Sequence, residues 1–216
     1  GYEEVPKSVM QGYAVMAIEA LVQGARPTHV FVQGGVGGVA AAVLSVLWER
    51  MGPDRPVLVV VEPDRAACLM ASAAAGSTTA FPGDLDTLMA GLACGDPSPI
   101  AWPIFDRGAD PSMVEADAAA VAALRRLADL GVVGGESGVA GLAGFLAAAA
   151  DPAARAALGL DAASRVLLFG TEGATDPEVY ARLVGRSAED VAAALPPGPA
   201  PAVHPIPTVP TGGLPA

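Results

Sequence analysis

Lysine is almost absent: the chain of 216 residues carries one, Lys7. Any chemistry that needs a lysine amine has a single candidate in this sequence. The scarcity also removes a familiar phosphate-binding device. No lysine follows the glycine run at 34–38, which excludes the GxxxxGK[ST] loop of an NTPase. Cysteine and histidine are nearly as rare. Cys68 and Cys94 form no CxxC pair and His29 and His204 lie far apart, so no metal site is expected. Each cysteine reads most simply as a small buried apolar residue, and spacing alone does not decide whether the two pair. Basic charge is short too, with 12 Lys+Arg against 23 Asp+Glu and a net charge of −11. Nucleic acid is not an expected partner, because its recognition needs clustered basic residues. No apolar run approaches the ~18 residues of a membrane span, so no membrane partner is expected. No signal peptide is visible, which points to the cytoplasm, although a chain opening on Gly1 rather than Met would not show a signal lying ahead of it.

What is plentiful is small and aliphatic side chains. At 52% hydrophobic, the sequence can bury the core of one substantial domain or most of one. Residues 1–195 read as that domain, opening on a loop over Gly1–Pro6. Residues 196–216, PPGPAPAVHPIPTVPTGGLPA, read as a Pro-rich disordered tail. Periodicity and breakers predict helices over 9–23, 39–50 and 65–74, a helix capped by Asp84 running to Leu92, and a long helix over 112–130. Further helices are predicted to follow 134–138, Asp151-Pro152, Asp176-Pro177 and Arg186. Residues 94–103 read as irregular. Three strands are predicted at 28–33, 56–62 and 165–169. The second, PVLVVVE, is the continuous β-branched run of a strand covered on both faces. Strands alternating with helices define the fold class as α/β, a doubly wound, mostly parallel sheet.

Four glycines in five residues, Gly34-Gly35-Val36-Gly37-Gly38, stand where the first strand meets a helix. A helix N-terminus offers unpaired amides and partial positive charge, and glycine lets an anion approach without meeting a Cβ. The stretch reads as a phosphate cradle, against the plainer reading of a tightly packed turn. Two phosphates suit it. For a dinucleotide, Gly35 to Ala40 fits GxGxxG/A, and Glu62 ends the next strand where a ribose-binding acid would sit. For a single phosphate monoester such as that of pyridoxal phosphate, the later loops GGESG (134–138) and GTEG (170–173) must gather at the same rim. Phe169 ends a strand, which places 170–173 there.

The motifs GYEEVP (1–6), MQGY (10–13), PTHVFVQGGVGG (27–38), VEPD (61–64), LACGDPSP (92–99), GGESG (134–138) and GTEGATDPEVY (170–180) together resemble those of the diaminopropionate ammonia-lyases. These are pyridoxal-phosphate enzymes of fold type II, and the chain resembles the C-terminal portion, part of the large domain. The resemblance implies pyridoxal 5′-phosphate as cofactor, a small amino acid as substrate, and α,β-elimination of 2,3-diaminopropionate to pyruvate and ammonia. Threonine or serine dehydratase activity is the alternative on the same fold, and a non-catalytic dinucleotide-binding module the alternative from another class. It implies a homodimer when complete. By it, the amides of Gly34, Gly35, Val36, Gly37 and Gly38 hold the phosphate and Thr171 stands beside the pyridine nitrogen. Glu136 lies near the ring, Tyr2, Glu3 and Glu4 lie near the substrate entrance, and Glu62 becomes an ordinary strand-end acid. The plainer readings are a turn hydroxyl for Thr171 and a capping carboxylate for Glu136. The family's cofactor lysine and acid-base aspartate fall ahead of Gly1, and Lys7 matches a position without catalytic role, so this chain alone is expected to be inactive. Ala174 and the Gly34-Gly35 pair depart from the family pattern.

Overall fold

The computed structural model of the chain describes residues 3–24, 26–108 and 110–194. The expected tail at 196–216 lies outside them, as does Tyr2. Strand β1 (His29–Gln33) is buried along its whole length, and β2 (Val57–Pro63) nearly so. Side chains alternate across a strand, so each strand feeds two cores. Val30, Val32, Leu58 and Val60 join one, while Phe31, Val59 and Val61 join the other. A strand with helices on both faces shows no polar alternation, and the polar residues His29, Gln33 and Glu62 fall at or beside the strand ends.

Two further strands complete an all-parallel sheet, β3 (Ser112–Glu115) beside β2 and β4 (Val166–Leu168) beside β1, in the order β3-β2-β1-β4. The first core is roofed by α1 (Glu4–Val22), α2 (Gly38–Met51), α3 (Cys68–Ala75) and α4 (Trp102–Gly108). The second is roofed by α5 (Asp117–Asp129), α6 (Ala140–Ala150), α7 (Pro152–Leu158), α8 (Pro177–Val184) and α9 (Ala188–Ala193). Helix α6 packs close because its glycines permit it: a Cβ on Gly141 would stand 2.6 Å from the carbonyl oxygen of Phe31. No described helix is long and apolar enough to cross a membrane. No group of three or more His, Cys, Asp or Glu among the described residues could hold a metal ion.

Four local expectations need correction. The opening loop is helical from Glu4, where Lys7 pairs with Glu3 and Glu4 one turn away. The helix predicted over 112–130 is two elements, because Ser112–Glu115 pairs in register with Val60–Pro63 before α5 begins. The helix from Asp84 does not form. Asp84 turns to Arg65, while Asp117 takes the Thr87 hydroxyl and the Leu88 amide, leaving a 3₁₀ turn at Ala90–Leu92. The irregular stretch ends instead in α4, which sequence periodicity missed among three prolines.

One polar clamp ties α4 to the sheet. The Arg55 guanidinium donates to Asp110 and to the Gly108 carbonyl (2.8 Å), and lies 4.9 Å over the Trp48 ring. Asp110 also accepts the Leu58 amide at 2.8 Å. Truncating one partner of a largely desolvated pair strands the other. Arg55→Ala is expected to lower unfolding free energy by about 2 kcal/mol in urea denaturation.

Candidate functional site

The chain runs β1, β2, β3 outward in one direction, then returns to place β4 on the other side of β1. Between β1 and β4 the winding reverses, and a crevice opens beyond the carboxyl ends of these two strands. Open α/β sheets bind ligands at such a point. A cavity of about 300 Å³ lies there, lined by Gln33, Gly34, Gly35, Val36, Gly38 and Val39 after β1, and by Thr171 and Glu172 after β4. Tyr13, Gly91, Leu92, Cys94 and Ser137 close its walls. The predicted gathering of the three glycine-rich loops at one rim is what the structure shows.

The glycines of the first loop have two separable roles. Gly37 adopts φ +98°, and a Cβ there would meet Phe105 Cε2 at 2.6 Å; one on Gly34 would meet Glu62 Cγ at 2.6 Å. These two residues are bare because their own protein crowds them. Gly38 has only ordinary contacts, the nearest being Tyr13 Cε2 at 3.7 Å, so packing does not require its missing Cβ. The Gly34 amide is taken by the Val61 carbonyl and that of Gly37 by Gly34. The amides of Gly35 and of Gly38, Val39 and Ala40 in the first turn of α2 have no acceptor among the described residues, and no side chain caps this helix. Among the described residues, the lining contains no lysine, arginine or histidine. Toward an anion these residues offer backbone amides and the α2 dipole.

Opposite the glycine loop, the Gln33 side-chain nitrogen donates to the Phe169 carbonyl (3.0 Å) and, in a short contact, to the Thr171 hydroxyl. Gln33 is 4% exposed, and its Oε1 has no partner among the described residues. A buried amide oxygen left without a donor is costly unless something in the cavity supplies one.

Glu172 locks the rim. Its carboxylate accepts the amides of Ser137 (2.6 Å) and Gly138 (3.0 Å), and its carbonyl accepts the Gly135 amide (2.9 Å). A Cβ on Gly135 would run into Glu172 Cγ, and one on Gly138 would lie 3.0 Å from Glu172 Cβ. The glycines of the second cluster therefore make room for Glu172. The Ser137 hydroxyl accepts the Gly91 amide at 2.9 Å and draws the 91–94 segment in. The carboxylate at the mouth of α6 is thus that of Glu172, 36 residues downstream of Glu136. Glu136 is 8% exposed, makes no side-chain hydrogen bond or ion pair among the described residues, and does not line the cavity.

Glu62 is neither a ribose ligand nor an ordinary strand-end acid. It is fully buried, and its two oxygens accept the amides of Leu69 (2.9 Å) and Met70 (2.8 Å), capping α3 from the end of β2. This explains why α3 starts at Cys68 rather than at the predicted Arg65. With its oxygens turned into the helix, Glu62 offers a dinucleotide nothing. Burial pushes its carboxyl up to about 7, against the downward pull of the two amides. A carboxyl ionising near 4.5 unfolded and near 7 folded favours the folded state fully only below 4.5, and that contribution fades as pH rises to about 7. Over that window the wild type is expected to lose up to about 3 kcal/mol relative to Glu62→Gln, read as the difference between their urea-denaturation curves.

Both cysteines are free thiols. Burial pushes Cys68 up to about 12, and also raises Cys94, whose sulfur stands at the cavity wall by the Val36 amide.

Residues 3–169 match the family described as pyridoxal-phosphate dependent enzyme, and the chain belongs to that family. It is 40% identical over 208 residues to the diaminopropionate ammonia-lyase of Salmonella typhimurium, covering 87% of this chain and 51% of that protein. The Escherichia coli K12 diaminopropionate ammonia-lyase is 40% identical over 131 residues, 59% of this chain and 33% of that one. The chain thus spans at most about half the length of these relatives. Among solved structures, the E. coli lyase in complex with an aminoacrylate-PLP azomethine reaction intermediate matches with a TM-score of 0.77 at 36% identity, over 85% of this chain and 50% of that one. Threonine deaminase isoform 2 of Solanum lycopersicum shares the fold, with a TM-score of 0.68 at 21% identity over 82% of this chain and 50% of that one.

Proposed function

We propose that this chain forms the phosphate cradle and ring-nitrogen wall of a pyridoxal-phosphate-dependent diaminopropionate ammonia-lyase. The observation that carries the reading is the pairing of acceptor-free amides at Gly35 and the start of α2 with the Thr171 hydroxyl across one cavity. That pairing suits a molecule with a dianionic group at one end and a polar ring at the other. In this reading Gly34 to Gly38 shape the cradle, Gly35 and Gly38 supplying amides directly while Gly34 and Gly37 hold the loop against the core. Thr171 meets the ring nitrogen. Glu136 stays in the second loop, and Glu172 rather than Glu136 holds that loop in place.

When bound, pyridoxal phosphate supplies the electron sink for elimination from 2,3-diaminopropionate, releasing pyruvate and ammonia. The chain's part is to bind the phosphate without a basic side chain of its described residues and to orient the ring between Tyr13 and Leu92. Lys7, the one lysine, is exposed on α1 in ion pairs with Glu3 and Glu4 and does not line the cavity. No amine that could hold the cofactor covalently is therefore placed at the cavity by the described residues. The 40% identity to the lyases favours diaminopropionate over the hydroxy amino acids of threonine deaminase. The same reading takes the whole enzyme as a cytoplasmic homodimer.

Pyridoxamine 5′-phosphate, which needs no lysine, tests the site. Titrated into the 216-residue chain, it is expected to bind saturably while NAD does not, with no turnover of 2,3-diaminopropionate. Binding of NAD in its place overturns the cofactor reading, and turnover by the chain overturns the assignment of the amine to another segment.

A further inference from the structure

The cradle makes no use of Gln33, yet this buried amide is wedged between β1 and the segment after β4. We propose that Gln33 is a positioning residue: it fixes the Thr171 hydroxyl as a donor toward the cavity and so keeps a bound pyridine nitrogen unprotonated. The inference rests on the reading of Thr171 as the ring-nitrogen contact.

The Phe169 carbonyl can only accept, and it lies 3.0 Å from the Gln33 amide nitrogen. This fixes which end of the amide is nitrogen. The same nitrogen donates its second proton to Thr171 Oγ1. The hydroxyl oxygen is therefore already an acceptor, and its own proton finds no acceptor among the described residues. A hydroxyl so held keeps one lone pair, but its proton is satisfied only when it donates into the cavity. The neutral pyridine nitrogen is an acceptor and satisfies it. A protonated ring would place a second donor against the same oxygen and leave the hydroxyl proton without a partner. Thr171 is exposed in this structure, and once a bound ring covers its hydroxyl that mismatch disfavours the pyridinium. Gln33 Oε1, buried and without a partner among the described residues, is left for a water or for a donor elsewhere on the bound molecule.

Reversing the polarity of position 33 should reverse the outcome. In Gln33→Glu the introduced carboxyl, ionised or neutral, presents an oxygen that accepts the Thr171 proton. Thr171 then accepts from the ring. The experiment is ¹⁵N NMR of pyridoxamine 5′-phosphate labelled at the ring nitrogen and bound to the 216-residue chain, titrated with pH, with circular dichroism to check folding.

The wild type is expected to show a neutral, hydrogen-bonded nitrogen at pH 7. Gln33→Glu is expected to show a pyridinium, its apparent ring pKa raised by about one unit or more, a tenfold change in protonation or greater. Gln33→Met, which frees Thr171 to turn either way, should fall between them and serves where the carboxyl variant does not fold. A ring that titrates identically in wild type and both Gln33 variants, while Thr171→Val moves it, overturns the role of Gln33 and leaves the Thr171 contact standing. A ring that Thr171→Val does not move overturns that contact and the inference with it. A protonated ring in the wild type also overturns the inference, since it would mean that Gln33 does not hold the hydroxyl as a donor toward the nitrogen. A chain that binds no pyridoxamine 5′-phosphate overturns the cofactor reading as a whole.

Discussion

Gly37→Ala is expected to abolish binding of pyridoxamine 5′-phosphate and to lower unfolding free energy by about 3 kcal/mol, the largest effect of any single methyl added to the first loop. The added Cβ would lie 2.6 Å from Phe105 Cε2, 3.2 Å from Ala101 Cβ and 3.2 Å from Leu69 Cδ2, at a backbone φ of +98°. Neither the ring of Phe105 nor the backbone behind Ala101 can retreat, because both belong to the closed first core. Relief would come from the loop itself, which would rotate the α2 amides away from the cavity. Gly38→Ala is the contrasting case. Its new methyl has ordinary contacts at 3.7 and 3.9 Å, and stability should stay within about 0.5 kcal/mol of wild type. Its cost should fall on the ligand, as weakened binding of the same analogue. Urea denaturation with fluorescence titration of each variant separates the two roles. Equal effects on stability at both positions would show that the loop is crowded throughout and that its openness is not meant for an anion.

Glu172→Ala should cost about 3 kcal/mol and weaken binding of the analogue at least tenfold. The substitution strands the amides of Ser137 and Gly138, which the carboxylate accepts at 2.6 and 3.0 Å. It also removes the side chain for which Gly135 and Gly138 leave room. Thr171 is the adjacent residue, so loosening this anchor displaces the hydroxyl proposed to face the ring. Hydrogen exchange gives a local readout: the amides of Ser137 and Gly138 should exchange faster in Glu172→Ala, with Glu172→Gln intermediate because it keeps one good acceptor. Unchanged exchange at these two amides would mean that packing of α6, not the carboxylate, holds the second loop.

The sheet was legible where local physics and tertiary context agree. The apolar core of 28–33 at Val30, Phe31 and Val32 and the β-branched run at 56–62, glycine after the first and proline after the second, mark strands whatever their neighbours. Asp151 and Asp176, each before a proline, cap α7 and α8 as their spacing suggests, each accepting two amides of the first turn. Legibility failed where a distant partner decided. Ser112–Glu115 is a strand only because Val60–Pro63 offers an open edge. Asp84 is no helix cap because Arg65 and Asp117 claim the groups that a helix would need.

The site divides in the same way. The glycine loop stands at chain punctuation and could be singled out by composition, whereas Thr171 is picked out by resemblance to the lyase motif. Glu136 is singled out by the resemblance of GGESG to the lyase motif, with a capping carboxylate at a helix mouth as the plainer alternative. The carboxylate that accepts the Ser137 and Gly138 amides is that of Glu172, from another loop, and no local pattern joins Glu172 to Ser137. Gln33 carried one usable signal, a buried-strand run ending on an amide at the position where the winding reverses.

The cavity is assembled from stretches far apart along the chain: 33–39, 91–94, 137 and 171–172. A molecule seated there would staple the first strand to the last, fastening ends that would otherwise close a contour of some 130 residues by contact alone. The empty protein should therefore gape first at this rim, and protease should nick it near 170–173 until the ligand is added.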